Sequence, residues 1–450
     1  MRSPLKYQFF VVCCLILLGS CSNKNRDLFS DKNWISLAVE SEEFIRQSKY
    51  ESPEGPIWKV MPDSVNSQAD NSLYSGVPGI VLFYLELYNT TGNSNYLDEA
   101  ESGAAYLINT IKDTIYNAGE VGLYTGLAGI GFAINEVYKT TGDPLYYQAS
   151  VKIVDQLEAA ASRTENGINW GQITDIVYGG AGIGLYLQYV SDEFNLPKAD
   201  SLSILAAEGL LDNAIDTLNG LRWKFMPDYE RYMDNFSHGT AGTAYFLSET
   251  YLRTKNEKYL DAAIKAANLL DGLSNDKGYI PHHLPGGEDL YYLNWCHGPA
   301  GTGRLFYSLY EATNDEAWLE KMTRTADYLM EEGIDQHEAP GFWNNEGKCC
   351  GSAGVAEYFL WLYNITGNEK YLGFSGKMTK KLIASSTKEG DCIKWIQAEN
   401  RRSPENVAAQ TGLMQGSAGI GLWFLQLNAF QNNKEPTITL PDKPIVGKGF

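Results

Sequence analysis

The stretch Asn294-Trp-Cys-His-Gly-Pro-Ala-Gly-Thr-Gly303 decides how this chain is organised. It places a cysteine and a histidine directly before a Gly-x-x-Gly motif. The run that follows the motif is apolar and rich in aromatic residues, which favours a buried helix beginning at the glycines.

The same Gly-x-x-Gly motif occurs seven times, at intervals of 50 to 65 residues. Each copy is followed by Ile, Val or Thr and then by an apolar run. Internal repetition with such a period indicates stacked or ring-closed units, and it outranks any local prediction. The first glycines of the copies are Gly76, Gly126, Gly179, Gly239, Gly298, Gly351 and Gly416.

A threonine recurs fifteen residues after the first glycine in five of the copies. The residues after it suit a helix stop and a tight turn, and an amphipathic run such as 259–270 follows. Each unit is therefore predicted to be an apolar inner helix, a turn, an amphipathic outer helix and a loop. Such units close most simply into an all-α fold, an α/α toroid, which we assign to residues 33–432, with a polar C-terminal tail over 433–450. The recurring threonines are Thr91, Thr141, Thr254, Thr313 and Thr366.

Composition supports one large domain and excludes one class of partner. A chain of 450 residues with 44% hydrophobic content can bury a large core, so one closed array fits better than three unrelated domains. The formal charge is −19 and the sequence contains no basic stripe, which disfavours nucleic-acid binding.

The N-terminus has the pattern of an export signal. Arg2 and Lys6 precede a short apolar run over 9–18, which predicts a signal peptide over residues 1–20. The next residues, Leu18-Gly-Ser-Cys21, resemble the bacterial lipobox, so we expect Cys21 to carry a lipid and residues 21–32 to form a tether. The expected protein is an exported bacterial lipoprotein, membrane-anchored in the periplasm or at the cell surface; an ordinary secretory signal is the alternative.

Polar residues with useful chemistry are concentrated just before four consecutive motifs. If every motif opens an inner helix, all seven helix starts lie at one end of the toroid and these residues converge. Thiols at helix N-termini are favoured as thiolates, and a catalytic zinc takes three protein ligands and keeps one open position. The alternative is that the cysteines only pack there, or that two form a disulfide; Cys392, away from the motifs, is interpreted as structural. The converging residues are Asp175, His238, Cys296, His297, Cys349 and Cys350.

Four segments carry a resemblance to a known family. Asp175-Ile-Val-Tyr-Gly, Ser-His238-Gly-Thr-Ala-Gly, Trp-Cys296-His-Gly-Pro-Ala-Gly and Cys349-Cys350-Gly-Ser-Ala-Gly resemble the lanthionine synthetase C-like family, with similarity from about 71 to 427. The resemblance implies a toroid of seven inner and seven outer helices with a zinc site. It also implies addition of a cysteine thiol to a dehydroalanine or dehydrobutyrine of a peptide, which forms a thioether. A separate dehydratase is then the expected partner.

The resemblance also implies roles for individual residues. Cys296, Cys349 and Cys350 would be the zinc ligands, in a Cys-Cys-Gly variant of the usual Cys-His-Gly motif. His238 and Asp175 would be the acid–base pair, since a histidine of near-neutral pKa can remove or deliver a proton.

Three further residues belong to the predicted site. His297 as a fourth ligand would close the zinc, so we favour a supporting role beside it, and we interpret Trp295 as a packing wall. The family commonly has an arginine four residues before the first ligand cysteine, where this chain has Tyr292. Tyrosine carries no charge to stabilise an enolate oxygen.

Two other functions remain open at this stage. A carbohydrate-active enzyme could use an α/α toroid, because a fold does not decide function; it would need two facing carboxylates, and Asp175 with Asp234 is the available pair. A zinc-bearing binding or sensor lipoprotein without turnover is the other alternative.

Overall fold

The computed structural model describes residues 32–64, 67–112 and 114–442. The predicted signal peptide, Cys21 and all of the predicted tether except its last residue lie outside the described residues. Within the described ranges, no helix combines the length and the apolar character needed to cross a membrane.

Fourteen α-helices make up most of the described chain, and they form seven pairs of one inner and one outer helix, with the first helix paired to the last. The inner helices each begin at a Gly-x-x-Gly motif: α2 (Val77–Thr91), α4 (Leu127–Thr141), α6 (Gly180–Phe194), α8 (Thr240–Thr254), α10 (Pro299–Thr313), α12 (Ser352–Thr366) and α14 (Ser417–Gln431). The outer helices are α1 (Trp34–Gln47), α3 (Ser94–Ile111), α5 (Pro144–Ala160), α7 (Pro197–Asp212), α9 (Glu257–Leu273), α11 (Glu316–Glu331) and α13 (Glu369–Ala384). The predicted α/α toroid with seven inner and seven outer helices is confirmed.

The second glycine of each motif allows a loop to cross the start of the inner helix. At Gly301 a Cβ atom would lie 1.9 Å from the carbonyl oxygen of Trp295, a contact that real side chains do not make. The loop that carries the residues before the motif is therefore held tightly against the first helical turn.

The recurring threonine ends the inner helix as the sequence predicts. The Thr313 hydroxyl donates to the carbonyl of Leu309 at 2.7 Å and accepts from the N–H of Asp315 at 3.2 Å. Asn314 between them adopts φ 54°, the left-handed conformation that stops a helix. The next outer helix then begins at Asp315, whose side chain caps the N–H of Ala317.

Helix α1 completes the ring, although no motif precedes it. It packs against α14 and supplies the outer helix that the seventh unit lacks in sequence order. Trp34 stacks on Phe424 with ring centroids 6.2 Å apart, and both residues are buried. The N-terminal part of the domain thus closes on its C-terminal part.

A circle of backbone hydrogen bonds, open between Val177 and Ser237 in the described chain, joins the motif ends of the inner helices. The residue two positions before the first glycine donates its N–H to the carbonyl of the equivalent residue in the next unit, at N···O distances of 2.8 to 3.3 Å. Six such links join Tyr74 to Tyr124, Tyr124 to Val177, Ser237 to Cys296, Cys296 to Cys349, Cys349 to Met414, and Met414 back to Tyr74. This circle brings residues far apart in sequence to one end of the toroid.

Strands occur only as short antiparallel hairpins and pairs in the loops of the described chain. They are β1 (Lys49–Ser52) with β2 (Gly55–Trp58), β3 (Ser162–Arg163) with β4 (Ile168–Asn169), β5 (Ile215–Thr217) with β6 (Gly220–Arg222), β7 (Thr387–Glu389) with β8 (Cys392–Lys394), and β9 (Ile396–Ala398) with β10 (Val407–Ala409).

The segment after α14 enters the ring, whereas the sequence predicts a polar tail there. Ile438 is 5% exposed and Asp442 is fully buried. We call residues 437–442 the central strap. The physical reason for its burial is that the inner helices carry polar side chains toward the axis, and these need partners. Side chains from all seven inner helices bond to the strap or line a cavity with it: Glu86, Glu136, Gln188, Glu249, Arg304, Glu357 and Leu422.

Candidate metal centre

The three predicted ligand cysteines lie together at the motif end of the ring. The Sγ atom of Cys350 lies 3.3 Å from the Sγ atoms of both Cys296 and Cys349, and all three sulfurs lie within 4.8 Å of one another. All three side chains are buried. Distances of 3.3 Å are far longer than the roughly 2.05 Å of a disulfide bond, so the three thiols are free.

The three sulfurs fit a zinc ion. With Zn–S bonds of about 2.3 Å, tetrahedral ligands would lie ~3.8 Å apart, which is close to the 3.3 Å separations of Cys350 from its two neighbours. Cys296 precedes α10, and Cys349 and Cys350 precede α12, where the helix dipoles stabilise negative charge. Among the described residues, this is the group of Cys, His, Asp and Glu side chains whose ligand atoms are close enough to hold a metal.

The three thiols differ in how readily they ionise. Burial and hydrogen bonds to the other two cysteines raise the pKa of the Cys296 thiol. Burial also acts to raise the pKa of Cys349, but hydrogen bonds from Cys296, Cys350 and Tyr74 outweigh it, and the pKa is lowered. Cys349 is therefore the thiol that most readily becomes a thiolate.

The predicted acid–base pair forms a hydrogen bond across 63 residues of sequence. His238 Nδ1 lies 2.8 Å from Asp175 Oδ2, and Asp175 Oδ1 accepts the N–H of Tyr178 at 2.9 Å. Burial raises the pKa of Asp175, while the bond from His238 opposes that rise. Because the carboxylate accepts a hydrogen bond from the N–H at Nδ1, the Nε2 atom of His238 is left to act on a ligand.

Aromatic rings hold the His238 imidazole in place. The ring of Tyr178 stacks on it with centroids 5.7 Å apart, and the ring of Phe225 lies 5.0 Å away. The His238 side chain remains 23% exposed, so a ligand at the motif end can reach it.

His297 and Trp295 lie beside the cysteines in different surroundings. His297 is 5% exposed, lies outside the three-cysteine group, and its Nδ1 atom has no hydrogen-bond partner among the described residues. Trp295 points into the core, where its indole N–H donates to Asp442 Oδ2 at 3.1 Å and its ring packs edge-on against Tyr124 and Phe236. It therefore joins the end of the ring that holds the cysteines to the central strap.

Tyr292 lies at the mouth of the centre, half-buried. Its ring centroid is 4.4 Å from that of His282 and 5.7 Å from that of His297. The Arg401 guanidinium lies above the same ring, 6.0 Å from its centroid. Burial and the nearby Cys296 raise the pKa of Tyr292 to about 12, so the phenol is a neutral donor.

Sequence reasoning missed several residues of this site. Asn294 accepts the thiol of Cys296 at 3.0 Å and donates to the carbonyl of Cys350 at 2.9 Å. Tyr74, whose hydroxyl accepts a hydrogen bond from Gln415 at 2.9 Å, bonds in turn to Cys349. The position of Tyr74, two before its motif glycine as in Cys296 and Cys349, is a repeat signal that could have revealed it.

The carboxylate pair of the glycosidase alternative is not free. Asp175 is bonded to His238. Asp234 forms a buried ion pair with Arg222 through both oxygens and also accepts the hydroxyl of Thr240 at 2.9 Å. These partners leave no pair of unengaged carboxylates in the positions that the sequence suggested.

Two proteins illustrate what this chain is similar to. The glutathione S-transferase LANCL1 of Danio rerio is 23% identical over 209 residues, which cover 45% of this chain and 50% of that protein. The chain thus spans about half the length of the curated relative that it matches. The solved structure of a nisin cyclase superposes with a TM-score of 0.62 at 18% identity, over 88% of this chain and 93% of the cyclase, which shows a shared fold.

A family match covers most of the toroid. Residues 67–440 match the family described as "Lanthionine synthetase C-like protein". The matched range contains all seven Gly-x-x-Gly motifs, the three clustered cysteines and the hydrogen-bonded pair of Asp175 and His238. This chain belongs to the lanthionine synthetase C-like family.

Proposed function

We propose that the protein is a zinc-dependent enzyme that adds thiols to dehydroamino acids, and so forms thioether links in a peptide. One observation carries the proposal: three buried thiols lie within 4.8 Å of one another in a chain of this family, at the ring end that also holds His238. A set of three sulfur donors leaves the fourth zinc position open for a substrate.

The residues at the motif end can perform the proton transfers of this reaction. Zinc, when bound, makes a substrate thiol more acidic at neutral pH. His238 Nε2 accepts the thiol proton, and the sulfur forms a bond to the β carbon of the dehydroamino acid. The π electrons move toward the carbonyl oxygen, and a proton returned to the α carbon completes the addition. Asp175 keeps Nδ1 protonated and stabilises the imidazolium that forms in between.

The proposed reaction needs two substrates, a thiol and a dehydroamino acid. The relative in Danio rerio carries the name glutathione S-transferase, which supports a thiol as one substrate class. The other substrate must already contain a dehydroalanine or dehydrobutyrine, so a separate dehydratase is the expected partner.

The N-terminal pattern adds a proposed location. The lipobox-like Leu18-Gly-Ser-Cys21 supports an exported lipoprotein anchored by lipid on Cys21. Cys21→Ser should move the protein from the membrane fraction to the soluble fraction. Soluble wild-type protein that retains residues 1–20 would contradict the anchor.

The test combines metal analysis with a thiol-addition assay. Wild-type protein should contain one zinc per chain and convert a peptide with one cysteine and one dehydroalanine to its thioether, as seen by alkylation and mass spectrometry. Cys349→Ala should lose both properties, because two ligands hold zinc poorly. Cys392→Ala is the matched control, since Cys392 is also buried and free but lies in β8, outside the cluster; it should keep both.

Each remaining outcome is informative. Cys350→His should keep the zinc, because histidine and cysteine are both good ligands. Zinc-free wild-type protein after purification in zinc would overturn the metal centre. Zinc-loaded protein that is inert toward every dehydroalanine and dehydrobutyrine peptide would overturn the enzyme and favour a binding module.

A further inference from the structure

Four of the five histidines in the chain gather at the mouth of the metal centre, and the proposed proton transfers use one of them. The ring of His297 lies 5.6 Å from His238 and 4.1 Å from His282. His282 in turn lies beside His283, with their Nδ1 atoms 2.9 Å apart. The two adjacent histidines, His282 and His283, lie in the long loop between α9 and α10, more than ten residues before the motif that begins at Gly298.

Backbone contacts fix this loop. The N–H of His282 donates to the carbonyl of Leu290 at 2.7 Å. Leu284 and Tyr232 exchange two backbone hydrogen bonds of 2.7 and 2.8 Å, and the guanidinium of Arg222 lies 3.7 Å above the Tyr232 ring. These hydrogen bonds fix the backbone on both sides of His283, so the positions of the two histidines are well defined.

A chain of hydrogen bonds determines where the protons of the two histidines lie. Arg231 Nη1 lies 3.1 Å from His283 Nε2, and arginine can only donate, so His283 Nε2 accepts. The proton of His283 is then on Nδ1 and is donated to Nδ1 of His282. The remaining proton of His282 must be on Nε2, so His282 is a neutral imidazole with an N–H to offer.

The surroundings favour the same state. Burial, with contributions from His283, His238 and the arginines 401 and 402, lowers the pKa of His282 to about 3. Burial and Arg231 lower the pKa of His283. Both imidazoles thus stay neutral at physiological pH.

Positive charge also lies near Tyr292 and His282. Arg401 is exposed in the turn between β9 and β10, with its guanidinium 6.0 Å from the Tyr292 ring centroid. Within the ranges that the structure describes, no carboxylate forms an ion pair with Arg231, Arg401 or Arg402. In a chain of formal charge −19, three arginines without acidic partners at one mouth form a local positive region.

We propose that the N–H of His282 and the guanidinium of Arg401 form an anion subsite beside the cysteine cluster, which binds a negatively charged oxygen of the substrate. His283 and Arg231 are positioning residues that keep the His282 proton on Nε2. The inference rests on the proposed function for its substrate: the oxygen belongs either to a carboxylate on the thiol or to the enolate that forms when sulfur bonds to the β carbon.

A binding experiment tests the subsite apart from catalysis. The probes are 3-mercaptopropionate, which carries a carboxylate, and 2-mercaptoethanol, which is neutral, each titrated into zinc-loaded full-length protein by calorimetry. Wild-type protein should bind the carboxylate probe about tenfold more tightly, because hydrogen bonds to a charged group are stronger than those to a neutral one. His282→Phe and Arg401→Ala should reduce the ratio to about one. His282→Gln, which retains an N–H donor, should restore part of it.

Two further variants show whether a change in the ratio comes from the subsite or from a general disturbance of the protein. Arg163→Ala removes an exposed arginine of β3, away from the histidine cluster, and should leave the ratio unchanged. His283→Phe should lower the ratio although His283 does not itself meet the probe, and the nitrogen NMR shift of His282 should report a mixture of tautomers in that variant. An unchanged tautomer would overturn the positioning role.

A kinetic arm distinguishes the two sources of the oxygen. With 2-mercaptoethanol and a dehydroalanine amide, an enolate role predicts that His282→Phe lowers kcat by about 10²-fold with KM unchanged, the usual worth of one oxyanion donor. A carboxylate role predicts a raised KM for 3-mercaptopropionate alone. Wild-type protein that is inert yet shows the tenfold binding ratio would remove the proposed function and keep the subsite. Active wild-type protein with a ratio near one and a kcat unchanged by His282→Phe would overturn the subsite and keep the function.

Discussion

The axis of the ring and its motif end use their polar groups differently. At the axis, Arg304 is paired with Asp442, with its Nε atom 3.2 Å from the Asp442 carbonyl oxygen, and Lys348 lies 2.9 Å from Glu357. At the motif end, the Nδ1 atom of His297 has no partner in the described chain, and the three thiols bond largely to one another.

The difference indicates which end is available for a ligand. Buried polar groups are normally satisfied, so the unpartnered Nδ1 atom of His297 and the thiols that bond to one another are groups that a ligand could engage. The axis satisfies its charges internally, through the central strap, and that arrangement contributes stability. The motif end retains donors and acceptors for chemistry. Substitutions at the motif end should therefore change the rate of thiol addition, and substitutions at the axis should change the free energy of unfolding.

The largest effect is expected for His238→Ala at the motif end. The variant should keep one zinc per chain and fold normally, but thiol addition should slow by roughly 10²–10⁴, the usual contribution of a positioned acid–base group. The measurement is the rate of thioether formation by mass spectrometry, with zinc content measured in parallel.

His337→Ala is the matched control for that experiment. His337 is the remaining histidine of the chain and is exposed in the loop after α11. Its variant should react at the wild-type rate. A His238→Ala rate within a few-fold of wild type would show that this imidazole does not move the protons.

An intermediate effect is expected at the axis, for Asp442→Ala. The substitution leaves Arg304 buried at 6% exposure without its carboxylate, and it removes acceptors from Tyr124 and Trp295. Breaking a buried ion pair from one side costs about 3–5 kcal/mol. The free energy of unfolding in urea should fall by that amount.

Asp391→Ala provides the comparison for the axis. Asp391 is exposed in the turn between β7 and β8, so its loss should change the free energy of unfolding by less than about 0.5 kcal/mol. Equal stabilities of the two variants would mean that the strap is not a stabilising element.

Much of this comparison follows from the repeat, and some of it does not. The seven motifs predict the inner helices, and their equivalent positions predict that Asp175 approaches His238 and that Cys296 approaches Cys349. Repeat equivalence works because the circle of backbone hydrogen bonds places equivalent residues at the same height on the ring. The sequence could thus predict that the three cysteines form a group.

The remaining features depend on contacts that carry no repeat signal. Helix α1 completes the ring without a motif, because only its apolar face is needed to pack on α14. The sequence of the central strap is typical of a polar tail. Its burial depends on charges that the inner helices direct toward the axis. His282 and Arg401 approach each other from two loops of irregular length, and neither position is repeated elsewhere in the chain.

The smallest effect concerns Glu86, where the strap enters the ring. The Glu86 carboxylate accepts the N–H of Ile438 at 2.8 Å and the N–H of Thr437 at 3.2 Å. Burial raises the pKa of Glu86, and these hydrogen bonds oppose the rise without cancelling it.

Because the folded pKa lies above the unfolded value, the contribution of Glu86 to stability is fully present below the unfolded pKa of about 4.5. It is lost as pH increases through the folded pKa. Glu86→Gln cannot titrate, so the stability of wild type relative to this variant should decline from pH 4 to pH 8, as measured by urea unfolding at both values. A difference that stays constant between the two pH values would show that Glu86 has the same pKa in the folded and unfolded states, and that the strap satisfies the charge as fully as water does.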